Sequence, residues 1–295
     1  MKKCVKAVCR AEQKLETFLK GELGLTKKQI RQAKFRPSGI CVNGIQSRVT
    51  SLIKPGDCVS VLLEEEEKES GQLVSGSIGL QILYEDEDLL AVNKPAGLVV
   101  HPSHGHYRDS LANAAACYFR EQGMRVKIRP VGRLDKDTSG IVLFAKNQVA
   151  AARLAGQKAS GEFYKEYLAL VCGTPNLQKD TVCTDLEKDP ESLMKMRVTE
   201  QGMHAVTHYE VLRIWEDFSL VRVRPETGRT HQIRVHMASL GHPLLGDPLY
   251  GTDRRMGRAA LHAGYCRFLQ PFTGEELCIR AELPEDMRKM AGNGL

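Results

Sequence analysis

No stretch of this 295-residue chain approaches the run of about 20 apolar residues that crosses a bilayer. The opening MKKCVKAVC has the basic start of a secretory leader. Lys6 interrupts its apolar run and Arg10 and Lys14 end it, so no signal sequence is expected and the chain is placed in the cytosol. The C-x-x-C pair is missing. The nine cysteines, odd in number and scattered from Cys4 to Cys278, suit free thiols in a reducing compartment better than disulfides or zinc. There is no G-x-x-x-x-G-K-[ST] loop for ATP or GTP, and no strand leads into the G-x-G-x-x-G of a dinucleotide site. His231 and His236 lie five apart, on different helix faces, and make no H-E-x-x-H site. His101, His104 and His106 cluster beside Pro102 without a Cys or acid to complete a metal shell. Elimination favours a reaction with no metal, no nucleotide and no other cofactor.

What is present is an ordinary soluble composition, 42% apolar and 26% charged, long enough for one sizeable core and a small accessory domain. The net charge of +6 is unevenly placed. Residues 1–63 carry 13 Lys/Arg against 4 Asp/Glu, a net of +9, whereas residues 64–71 (EEEEKESG) are strongly acidic and the remainder is near neutral. A basic head on a neutral body suits a polyanion grip separate from the chemistry, although many basic heads are merely solvated surfaces.

Helical spacing of Leu15, Phe18, Leu19 and Leu23 ends at Gly24. Thr26 starts a second helix whose polar face carries Lys27, Lys28, Arg31 and Lys34. ICVNG reads as a strand closed by an Asn43-Gly44 turn, and CVSVLL as another after Pro55-Gly56-Asp57. Residues 12–63 thus form a small α/β module. Residues 64–79, an acid run and then Gly- and Ser-rich, read as a linker, though the acids equally suit a solvated strand end. From 80 to 290, strands (QILYE, LLAVNK, GIVLFAK, YKEYLALVCG, FSLVRVRP) mix with helices without βαβ rhythm. Asp109 is placed as the cap of a helix through Leu111, Ala115 and Tyr118 that ends near Gly123. The predicted class is α+β, a mixed and largely antiparallel central sheet flanked by helices, with the small N-terminal domain attached. No coiled-coil seam is visible, so a monomer is expected.

Two segments are dense in polar residues and poor in periodicity. In residues 129–146 the turn D-K-D-T-S-G precedes a strongly apolar strand, which places Asp135 on a loop at a sheet edge. From spacing alone, Asp135 and Asp137 read better as Asx-turn residues than as catalytic groups. In residues 224–251, Thr230 is placed as the cap of a helix with Ile233, Met237 and Leu240 inward and Gly241 at its end. Arg229 and Arg234 near that helix start suit an anion, or are ordinary surface arginines.

Taken jointly these stretches resemble a known family. Arg133-Leu134-Asp135 with Asp137-Thr138-Ser139-Gly140 is similar to the signature of the RluA-type pseudouridine synthases, whose first Asp is catalytic. Lys94-Pro95-Ala96-Gly97 with Val100-His101-Pro102, Lys165-x-Tyr167-x-Ala169 with Val171-x-Gly173, the run GRTHQIRVH over 228–236, and Leu261-His262-Ala263 match the remaining motifs in order. The head resembles the S-four-like RNA-binding domain, named after a small-subunit ribosomal protein, through Leu15, Leu19, the Thr26 helix, Val42-Asn43-Gly44 and Lys54-Pro55-Gly56-Asp57; residues 35–38 lengthen the usual pattern.

The resemblance implies isomerisation of uridine in a structured RNA, ribosomal RNA of the large subunit foremost and transfer RNA as the alternative. It implies Asp135 as the essential carboxylate, Arg234 as its ion-pair partner, and Tyr167 packed on the uracil. It further implies Arg133 filling the gap left by the extruded base or holding the rearranged RNA backbone, and Leu261 supporting the substrate. The head cations Lys27, Lys28, Arg31 and Lys34 would bind RNA. Glycosidic chemistry makes a carboxylate near the anomeric carbon a sensible tool, and the target base must leave its stack first. A catalytically silent RNA-binding or ribosome-assembly protein is the competing function, and a base-excising nucleosidase is a third.

Overall fold

The structure, a computed structural model, describes residues 2–64, 79–103, 105, 107–124, 126–192 and 194–292. The linker expected at 64–79, apart from its two ends, and His104 and His106 lie outside the described residues. The head contains β1 (Lys2–Val8), β2 (Gln13–Lys14), α1 (Leu15–Gly21), α2 (Lys27–Lys34), β3 (Ile40–Val42), β4 (Ile45–Gln46), β5 (Leu52–Ile53) and β6 (Cys58–Glu64). Leu15, Phe18 and Leu19 bury the inner side of α1, as their spacing dictates. Thr26 caps α2 in a reciprocal box: its hydroxyl accepts from the Gln29 amide, and the Gln29 side chain accepts from the Thr26 amide. Asn43 and Gly44, both at positive φ, turn β3 into β4. The extra residues before β3 form turns, with the Arg36 amide on Ala33 and the Gly39 amide on Arg36. β1 pairs with β6 along its whole length, in a sheet of order β1-β6-β3-β4. The head sheet therefore includes residues ahead of 12, where lysines mask the strand pattern.

The body continues with β7 (Gln81–Glu85), β8 (Leu89–Lys94), α3 (Leu111–Glu121), β9 (Arg129–Pro130), β10 (Ser139–Ala145), α4 (Gln148–Ser160), β11 (Tyr164–Cys172), β12 (Lys179–Lys188), β13 (Met196–Thr199) and β14 (Met203–Ile214). Then follow β15 (Phe218–Pro225), α5 (Gln232–Ser239), β16 (Leu261–Leu269), β17 (Glu276–Arg280) and α6 (Glu285–Ala291). One sheet runs β13-β12-β14-β15-β11-β16-β10-β8-β7, with β17 on β16 and β9 on β10. Every pairing but β10 with β16 is antiparallel. This is the mixed, largely antiparallel α+β architecture expected.

Alternation explains the layers. On β8 and β10, Leu90, Val92, Val142 and Phe144 pack with Leu111, Ala115 and Phe119 of α3. Their neighbours Leu89, Ala91, Ile141 and Leu143 pack with Ala150 and Leu154 of α4. Both faces are covered, so these strands read as unbroken apolar runs. α5 lays Ile233 and Met237 on Ala169, Val171, Val221 and Val223, and α6 sets Met287 against Leu170 and Leu220. Head and body meet at α4. Val149 completes the head core, and Arg153 donates to the carbonyls of Leu23 at 2.7 Å and Pro271 at 2.5 Å.

Four local expectations change. Ser110, not Asp109, caps α3, because its hydroxyl accepts the Asn113 amide. α5 begins after His231 at φ 54°, with no side-chain cap from Thr230. Leu240, expected to face inward, lies just past α5 as its C-cap and is 36% exposed. Asp135 precedes a strand that lies between β8 and β16, so it sits at the end of a central strand and not at a sheet edge.

Candidate active site

The loop bearing Asp135 is held by buried cations that spend their donors on backbone. Lys94, fully buried at the end of β8, donates to the carbonyls of Pro95 (2.8 Å), Leu98 (2.7 Å) and Lys136 (2.8 Å), the last being the residue after Asp135. Burial pushes the Lys94 ammonium down to about 7, against the upward pull of Asp137. Arg258 donates to the carbonyls of Asp137 (3.1 Å) and Leu261 (3.2 Å), while its Nε binds Asp286 of α6 at 2.7 Å. Gly140, at φ +111°, lets β10 approach β16: a Cβ there would stand 2.3 Å from the Ala263 carbonyl oxygen. These ties leave the Asp135 side chain 21% exposed, facing a cavity.

The second polar segment comes to the same place from β15 and α5. The Arg234 side chain is 7% exposed, and its fork grips Asp247, Nε to Oδ2 at 2.7 Å and Nη2 to Oδ1 at 2.6 Å. Asp247 also accepts the amides of Leu249 and Tyr250. Burial alone raises the Asp247 carboxyl, but the Arg234 fork and these amides hold it below the usual range. The remaining nitrogen, Nη1, lies 4.0 Å from Asp135 Oδ2. The Arg234–Asp135 pairing implied by the resemblance is thus a long contact, and Asp247 is the partner that fixes the guanidinium. His231 Nε2 stands 4.0 Å from the same Asp135 oxygen, and its Nδ1 is 3.0 Å from the Tyr250 hydroxyl. Burial lowers the His231 pKa, so the imidazole is neutral at neutral pH. Gln232 closes the turn, receiving from the Arg229 amide and donating to Val206 and Thr207.

Asp135, Arg133, Tyr167, Arg234 and Leu261 all line one cavity of about 400 Å³, with His231, Tyr164 and Lys158. Tyr167 packs between two core clusters beneath it. Burial, then the Asp135 charge, raise its phenol, which stays protonated and makes no hydrogen bond among the described residues. Arg133, Lys158 and Arg229 carry positive charge here with no carboxylate partner among the described residues. Lys27, Lys28, Arg31 and Lys34 are absent from this cavity; all four are exposed on α2 in the head. Among the described residues no three His, Cys, Asp or Glu side chains gather as a metal shell requires. Asp247 was not foreseen as Arg234's holder. Its only sequence signal is an acid between Gly246 and Pro248, in a segment already dense in polar residues. His231, whose spacing from His236 suits no metal site, joins the cavity beside Asp135.

Known proteins share this chain's sequence and fold. Residues 88–239 match a family model described as RNA pseudouridylate synthase, a span that includes Asp135, Tyr167 and Arg234. The chain is 40% identical over 271 residues to the uncharacterized RNA pseudouridine synthase YjbO of Bacillus subtilis, covering 92% of this chain and 95% of the relative. It is 43% identical over 227 residues to ribosomal large subunit pseudouridine synthase D of Zymomonas mobilis, covering 72% and 71%. The solved human RNA pseudouridylate synthase domain containing 1 superposes with a TM-score of 0.58 at 28% identity, over 71% of this chain and 86% of that one.

Proposed function

The chain belongs to the RNA pseudouridylate synthase family, of RluA type, and on that premise we propose that it isomerises uridines of large-subunit ribosomal RNA with Asp135 as the essential carboxylate. One observation carries this: the Asp135 carboxylate faces a cavity of about 400 Å³, with a guanidinium and a neutral imidazole each 4.0 Å from one of its oxygens. The reaction breaks the bond from N1 to the anomeric carbon, turns the base, and joins carbon 5 to the same carbon. One proton leaves carbon 5 and one reaches N1, so nothing is gained or lost overall. Attack on sugar or base and removal of a ribose proton all call for an anionic carboxylate, and Arg234 Nη1 lies 4.0 Å from the Asp135 oxygen. Tyr167 offers a protonated phenol beside the ring, and Leu261 an apolar wall. The cations Arg133, Lys158 and Arg229 line the cavity and match the phosphates around an extruded nucleotide, and Arg133 serves to fill the space the base leaves or to hold the rearranged backbone. Ribosomal RNA is favoured by the relatives named for it. The enzyme acts as a cytosolic monomer without a nucleotide or metal cofactor.

The head serves as a separate RNA grip of S-four-like type, through Lys27, Lys28, Arg31 and Lys34 on the exposed side of α2. Two experiments test this function. Pseudouridine mapping in cells lacking the gene should lose specific sites, restored by the unaltered chain but not by Asp135→Asn. In vitro that variant should lose about 10²–10⁴-fold in rate or more with RNA affinity kept. Equal product from Asp135→Asn would end the catalytic assignment, and release of free uracil would mark a nucleosidase instead. Exchanging the four α2 cations for Gln should lower the salt slope of RNA binding by up to about 3.6, near 0.9 per lost duplex contact. An unchanged slope would remove the head from RNA binding.

A further inference from the structure

Tyr164, part of the cavity wall, begins a contiguous series of rings and guanidinium groups that leaves the site. Arg224 lies 4.6 Å over the Tyr164 ring and Arg267 lies 5.8 Å from it. The Tyr164 and Tyr265 ring centroids are 6.2 Å apart, and Arg280 lies 4.8 Å over Tyr265. Strand register builds this: Tyr164 stands opposite Arg267 across β11 and β16, and Tyr265 opposite Arg280 across β16 and β17. A bulge between Glu166 and Tyr167 breaks the alternation of β11, so Tyr164 and Tyr167, three apart, both reach the cavity.

The charges in this strip are of two kinds. Arg267 is neutralised by Glu276, and the neighbouring Arg222 by Glu210 and Glu166. Arg224 and Arg280 are exposed and have no carboxylate partner among the described residues, only the tyrosine faces beneath them. Flat rings alternating with uncompensated guanidinium groups fit unpaired nucleotides, whose bases are free to stack and whose phosphates take arginine. A duplex hides its base faces and cannot use the rings. We infer that the strip Arg224, Tyr164, Tyr265 and Arg280 is a subsite for the single-stranded nucleotides adjoining the target uridine, which rests on the cavity being the uridine site.

The test uses the full chain carrying Asp135→Asn throughout, a fluorescein-labelled oligouridylate, a blunt RNA duplex, and titration with salt. Adding Arg224→Gln with Arg280→Gln should weaken oligouridylate binding about tenfold and lower its salt slope by about 1.4, near 0.7 per lost single-strand contact. Duplex affinity and melting temperature should be unchanged, as should every reading for Lys289→Gln, an exposed charge on α6 paired with Glu285. An unchanged slope, an equal loss on the duplex, a fall in melting temperature alone, or no oligouridylate binding by the parent would each overturn the subsite. The unaltered chain's pseudouridine formation on cellular RNA is scored separately. Product with an unchanged slope removes only the strip, and absence of product removes the function proposed for the cavity.

Discussion

The cations at the site floor and those of the head are the same residue types put to opposite uses. On the floor, Lys94 gives its three hydrogen bonds to three carbonyls, and Arg234 gives two of its nitrogens to Asp247. On α2, Lys27, Lys28, Arg31 and Lys34 stand in solvent with no carboxylate among the described residues. Buried charge must be saturated or it is prohibitively costly, so the floor cations are spent on holding Asp135 and its loop. Exposed charge costs little to leave unpaired, so the head keeps its cations available to an incoming polyanion. Burial separates cations committed to the fold from cations left exposed.

The sharpest way to break that contrast is to remove the floor's acid. Asp247→Ala leaves the Arg234 guanidinium buried without its partner and should cost about 3–5 kcal/mol in urea unfolding, with activity falling as Arg234 and His231 drift from Asp135. A loss below about 1 kcal/mol would mean the floor is not held by this pair. Next comes pH. His236 is fully buried on α5, with Nε2 3.1 Å from the Thr184 hydroxyl, and burial lowers its pKa to about 4. The unfolded chain takes that proton below 6.5 and the folded chain refuses it until about 4, so stability falls as pH falls through that window. The full effect is about 3 kcal/mol, and His236→Gln should flatten that part of the unfolding free energy against pH. A variant with an unaltered profile would show that the imidazole is not buried neutral. The smallest effect belongs to the head: Thr26→Ala opens the α2 capping box and should cost about 1 kcal/mol. Amide exchange should loosen at α2 and leave β10 protected. Loosening at β10 would mean that head and floor are not energetically separate.

Much of this was legible in the linear order of residues. Thr26 and Gln29 at cap spacing, Asn43-Gly44 between β3 and β4, and the unbroken apolar run of β10 are local signals, and each element formed where it was expected. β1 was hidden, because Lys2, Lys3 and Lys6 obscure a strand that only pairing with β6 stabilises. The caps of α3 and α5 shifted by one residue because geometry, not residue type, chooses among adjacent polar side chains. Asp135, Arg133, Tyr167, Arg234 and Leu261 were each picked out by motif, and they meet in one cavity.

The sequence by itself determined the family and the reaction class, and picked out residues that line one cavity, because motifs of ten residues or fewer carry chemistry in local order. Tertiary structure alone decided that Arg234 belongs first to Asp247 and only at 4.0 Å to Asp135. It also decided that His231 shares that oxygen, and that Tyr164 and Tyr265 join the arginines of three strands into a strip. Those relations depend on strand register, one bulge and the competition of two carboxylates for one guanidinium, and no local pattern encodes a competition settled across a sheet.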